Sequence, residues 1–100
     1  MDASFCNMNK AEAKEILEKE LSVYRSRPCS DLVNLLGQPI HTEVRSGSGI
    51  TYQLEIQVFW DGQPGGNLRV LGSVDDGGWR AFLPLTDSFI VRPDGSFVGE

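Results

Sequence analysis

The sequence is short of the residues that most functional signatures require. It holds one histidine and two cysteines, Cys6 and Cys29, and no CxxC pair. A zinc site draws clustered Cys and His ligands at short spacings, so none is legible and no metal is expected. Basic residues are scarce: nine Lys and Arg stand against fourteen Asp and Glu, for a net charge of −5 and a pI near 4.7. The lysines, Lys10, Lys14 and Lys19, share one segment with four glutamates. Binding to phosphate backbones needs a basic face that displaces counterions, so neither nucleic acid nor an anionic membrane surface is an expected partner. No apolar run approaches membrane-spanning length, and the first ten residues lack the basic flank and apolar core of a secretory signal. The expected location is cytoplasmic, with reduced thiols; whether Cys6 and Cys29 ever pair stays open.

Catalytic and cofactor motifs are missing too. The glycine-rich stretches 46–49 and 62–66 are followed by no Lys-Ser/Thr and open no helix, so they are not phosphate loops. Asp75-Asp76-Gly77-Gly78 lacks the spaced oxygen ligands and distal Glu of a calcium loop. Nothing resembles a serine nucleophile elbow, and Cys29 has no positioned His beside it in sequence to activate it. No cofactor is expected.

What the chain does have is alternation. In 50–60, Ile50, Tyr52, Leu54, Ile56, Val58 and Trp60 fall on one parity, and Thr51, Gln53, Glu55, Gln57 and Phe59 on the other. That is a strand with one buried face. A second arm carries Leu68, Val70, Gly72 and Val74 inward. Matching buried positions suggests pairing Val58 with Leu68, Ile56 with Val70, Leu54 with Gly72 and Tyr52 with Val74. Ile40, Thr42 and Val44 make an earlier strand; Trp79, Ala81, Leu83 and Leu85 make a later one, facing Val74, Gly72 and Val70. The segment 86–88, Thr-Asp-Ser, reads as a corner, and 89–91 and 96–98 as short strands around an Arg-Pro-Asp-Gly turn.

Two helices precede the strands. Asn9 and Glu12 form a capping-box pattern, and Ala13, Ile16, Leu17, Leu21 and Tyr24 an apolar stripe to about Ser26. Pro28 breaks that helix. A short second one follows over 30–36, with Leu32, Leu35 and Leu36 inward and Gly37 as its left-handed terminator. Small residues at Gly72 and Ala81 leave a trough on the inner face, where Leu17 or Leu21 is expected to lie. The expected fold is α+β: one domain over 1–100, with 1–8 a loose leader. Two N-terminal helices pack on one face of a five- or six-stranded, meander-like antiparallel sheet.

Two functional sites are candidates. Segregating the turns puts 46–49, 75–78 and 93–95 at one end, and His41, Asp61, Asp87 and Glu100 at the other. A histidine beside carboxylates is the only arrangement here with acid–base residue types. Asp in turns has a simpler role, bonding nearby backbone N–H groups. The second candidate is the outer sheet face, with Leu71 between Glu55 and Phe82, Arg69 near Gln57, and Phe59 close to one end. Aromatics and Arg on a mixed face are typical of interfaces.

The phrases Gln57-Val-Phe-Trp-Asp61, Asp75-Asp-Gly-Gly-Trp-Arg80 and Pro84-Leu-Thr-Asp-Ser-Phe89 resemble those of a group of short uncharacterised bacterial proteins. The resemblance implies a stand-alone cytoplasmic domain and no particular activity. The sequence therefore points to a non-catalytic protein-interaction domain. It would use the outer face (Glu55, Gln57, Phe59, Arg69, Leu71, Phe82) or an edge strand, for a protein partner or self-association, with an immunity- or inhibitor-like role compatible. The alternative is a small-molecule-binding or hydrolytic protein using His41, Asp61 and Asp87.

Overall fold

The structure, a computed structural model, describes residues 10–75 and 85–99. Ala13, Leu17, Leu21 and Tyr24, spaced by three or four residues, form the buried stripe of α1, Lys10–Arg25. Burying a Leu of this stripe contributes roughly 1.5–3 kcal/mol. Glu12 reaches across to the sheet: its Oε1 accepts from the Tyr52 hydroxyl at 2.8 Å and from Ser48 Oγ at 2.9 Å. Its expected capping partner, Asn9, lies outside the described residues.

Pro28 has an extended backbone (φ −66°, ψ 155°) and stands as N-cap of α2, Cys29–Val33. This helix is shorter than the expected 30–36. Leu35 and Leu36 leave it through successive turns, their N–H groups donating to Leu32 and Val33 carbonyls at 3.0 and 3.1 Å. Gly37 takes φ +72°, as anticipated, but it lies in the following turns and does not end the helix, whose C-cap is Asn34. Leu36 bridges in parallel to Val58, which leads the chain along the edge of the sheet.

The sheet is antiparallel and runs β1 (Ile40–Arg45), β2 (Thr51–Trp60), β3 (Leu68–Asp75), β4 (Leu85–Val91), in that spatial order. The parity of every inward residue expected on the first three strands holds. The register between β2 and β3 does not: it is offset by two residues from the expected one. Leu54 faces Val74, Ile56 faces Gly72, Val58 faces Val70 and Trp60 faces Leu68. A slip of two preserves parity, so burial does not select between the two registers. The tight turn does, because Asp61 N–H donates to the Asn67 carbonyl at 2.8 Å and brings Trp60 into the ladder.

The larger correction is β4. The segment 86–88, read as a corner, is the middle of this strand. Val74, Gly72 and Val70 face Leu85, Asp87 and Phe89, so the partners expected there, Trp79, Ala81 and Leu83, do not hold those places. Of the strand expected over 79–85, only Leu85 lies within the described residues, where it opens β4. After β4, a turn over 92–95 returns the chain, but 96–98 makes only a single bridge, Phe97 to Val91, not a full strand. Four strands are thus seen among the described residues, against five or six expected.

Gly72 sets how closely α1 sits. A methyl group placed there would come within 2.8 Å of one Leu17 methyl and 3.2 Å of a Leu21 methyl. Both leucines lie over the trough, as expected; its neighbours are Ile56 and Asp87 instead of Leu54 and Ala81. The helix rests chiefly on β3 and β4. At its C-terminal end the Arg25 guanidinium lies 4.8 Å from the Phe89 ring centre and 5.4 Å from that of Phe97, and the two rings meet edge to face.

Candidate outer-face interaction site

The outer face is built from the residues that alternate away from α1. Phe59, Arg69 and Ile90 share one rung; Gln57, Leu71 and Ser88 the next; His41, Glu55, Ser73 and Thr86 the one after. The expected neighbours are corrected accordingly. Leu71 lies between Gln57 and Ser88, not Glu55 and Phe82, and Arg69 lies beside Phe59, not Gln57. Phe82 is outside the described residues.

Arg69 organises the upper part of this face. Its Nε and one terminal nitrogen each stand 3.0 Å from Asp61 Oδ1, and the other terminal nitrogen donates to Ser88 Oγ at 3.0 Å. One planar side chain thereby joins the β2–β3 loop to β4, with its own rotamer fixed. Phe59, 38% exposed, stands beside it. Along the β1 edge of β2, Gly37, Gln38 and Pro39 wall an open hollow of about 460 Å³ whose other wall is Gln57, Val58 and Phe59. Lower on the face the side chains are polar: Gln57 Nε2 donates to Glu55 Oε2 at 2.9 Å, and His41 Nε2 lies 3.9 Å from that same oxygen.

No family model, curated protein or solved structure matches this chain. The site is therefore read from its own chemistry.

The candidate acid–base cluster is not assembled. His41 adjoins Glu55, six residues along β2 from Asp61, which is about 20 Å at roughly 3.3 Å per residue. Asp61 is engaged by Arg69. Asp87 pairs with Gly72 on the opposite face, where it borders a recess with Lys14, Leu17 and Glu18 of α1. Its carboxylate accepts the N–H of Ser88 at 2.8 Å. Glu100 is outside the described residues. The ends of the sheet are also regrouped: turn 92–95 follows β4, so it lies at the same end as loop 61–67, opposite turn 46–49. No group of three or more His, Cys, Asp or Glu among the described residues is placed to hold a metal ion. No helix of the described residues is long and apolar enough to cross a membrane.

Three members of the outer face escaped sequence reasoning, Thr86, Ser88 and Ile90. Ile90 alternates with Phe89 and Val91, and a strand assignment across 85–91 would have turned it outward beside Arg69. The wall formed by Gly37–Pro39 carries no local signal, because it depends on where the chain runs after α2.

Proposed function

We propose that this protein is a non-catalytic interaction domain that recognises another protein with the outer face of its sheet. The reading rests on one observation: exposed Phe59 stands between an open hollow and an arginine already held in place. Interface centres favour aromatic residues and Arg. A side chain ordered before binding loses less freedom on association. Leu71 and Ile90 add apolar surface on either side of Arg69, and Gln57, Glu55 and His41 form a polar margin. A hydrolytic role through His41, Asp61 and Asp87 has no comparable support, since the three do not converge.

The test is affinity capture from lysate of the source organism with wild-type and Phe59→Glu baits, each first checked for an unchanged unfolding midpoint. A partner held by the wild type and lost by the variant is the expected result. A partner held equally by both would refute the outer-face reading.

A further inference from the structure

The two edges of the sheet are treated differently. On β4, Ser88 N–H is taken by the Asp87 side chain, the Ile90 carbonyl by Val98 N–H at 2.9 Å, and Arg92 N–H by the Ser96 carbonyl at 2.7 Å. That edge is largely occupied toward its C-terminal end. On β1 the situation differs. Ser46 N–H donates to the Ile50 carbonyl at 2.8 Å, in the same register that pairs Val44 with Tyr52. Antiparallel ladders alternate bonded and non-bonded pairs. Val44, Thr42 and Ile40 therefore bond inward to β2, and His41, Glu43 and Arg45 direct their N–H and C=O groups outward. Among the described residues, nothing pairs with those groups.

We propose that β1 docks against β1 of a second copy of this chain, antiparallel, about a two-fold axis through Val44. The side chains select this register. Outward-bonding residues must lie opposite outward-bonding residues, which any centre from His41 to Arg45 allows. Centring on His41 sets Glu43 against Pro39, and centring on Arg45 sets Arg45 against itself. Centring on Glu43 sets Glu43 against Glu43 and His41 against Arg45, unfavourable at the first pair. Centring on Thr42 sets Arg45 against Pro39, which has no N–H to give. Centring on Val44 sets Glu43 against Arg45 twice, once on each side of the axis, as an isologous contact requires. Arg45 is exposed and has no ion-pair or hydrogen-bond partner among the described residues. Glu43 is exposed and holds only the Gln53 amide, at 2.8 Å. On the inner side the half-exposed Val44 of each copy would meet at the axis, continuing the apolar layer. The charged edge thus repels other registers while completing this one. The surface is distinct from the Phe59 region, so either proposal can fail alone.

The test is a charge-swap series followed by light scattering across a concentration range, with circular dichroism to confirm folding. The wild type is expected to dimerise with increasing concentration. Glu43→Arg or Arg45→Glu alone puts like charges opposite each other at both symmetric positions, and should weaken the dimer by roughly tenfold or more. The double variant Glu43→Arg/Arg45→Glu restores opposite charges and should return the dimer to near wild-type strength. A wild type that stays monomeric, single variants that associate like wild type, or a double variant no stronger than the singles would each overturn the proposal. Tighter association of Arg45→Glu alone would do so as well, since that outcome belongs to the Glu43-centred register.

Discussion

Replacing Gly72 by Ala probes the packing of α1 on the sheet directly. The added methyl would stand 2.8 Å from a Leu17 methyl and 3.2 Å from methyls of Ile56 and Leu21. Carbon atoms pack best at about 3.5–4.0 Å. At the closest point the helix or the Leu17 side chain must therefore give way by nearly an ångström. Leu17 is 1% exposed and Leu21 2%, so neither can retreat into solvent. Overpacking of this kind costs about 1–3 kcal/mol. Against it, Ala restricts the unfolded chain, a gain of about 0.4–1 kcal/mol. The net expectation is a loss of about 0.5–2 kcal/mol, read as a lower urea midpoint at unchanged slope. The sharper result comes from the cycle with Leu17→Ala, which alone should cost about 2–5 kcal/mol through the cavity it leaves. In the double variant the methyl added by Gly72→Ala enters that cavity. The combined loss should fall short of the sum by at least about 1 kcal/mol. Strict additivity would mean that Leu17 does not rest on Gly72, and would refute the packing argument.

Two further outcomes follow from the polar and aromatic contacts of α1. The Tyr52 hydroxyl, and after it Ser48, holds the Glu12 carboxyl below its usual 4.5, so its stabilising effect is present above that pH and is lost as pH falls through the folded-state value. The gap in urea midpoint between wild type and Glu12→Gln should therefore close below about pH 4.5, whereas a gap constant from neutrality to pH 3 would contradict the assignment. Arg25→Met keeps the aliphatic stem and removes the charge over Phe89 and Phe97; it should cost about 1 kcal/mol and speed amide exchange at Val98, and unchanged exchange there would count against a role for Arg25 in holding the last turn.

The sequence was most informative where a pattern has one physical reading. Alternation in 50–60 and 68–74 leaves only one choice of buried face, and the spacing of Ala13, Leu17, Leu21 and Tyr24 leaves only one helical stripe. It was least informative where composition and role diverge. Thr86-Asp87-Ser88 has the make-up of a turn, yet Asp87 uses its turn-like habit of bonding the next N–H to finish the edge of a strand. That misreading displaced the fourth strand, moved the turn over 92–95 to the wrong end of the sheet, and made His41, Asp61 and Asp87 look like neighbours. The β2–β3 register failed for a different reason. An even slip conserves burial, and the deciding fact was the tightness of the 61–67 turn.

Helix α1 rests on β3 and β4, which follow it in the chain by more than forty residues. During synthesis, the stripe of Ala13, Leu17, Leu21 and Tyr24 leaves the ribosome well before the surface that will cover it exists. Hairpins β1–β2 and β2–β3 can close as they emerge, each from nearby residues, but the cover of α1 is complete only once β4 has followed β3. At 5–20 residues per second, the roughly sixty residues between Arg25 and Leu85 take several seconds to be made. Until then the nascent chain carries an apolar helix stripe not yet fully covered, beside a half-built sheet. Its yield in the cell is thus tied to translation speed, and slowing the ribosome within 26–84 should lengthen the window in which chaperones, or aggregation, can claim it.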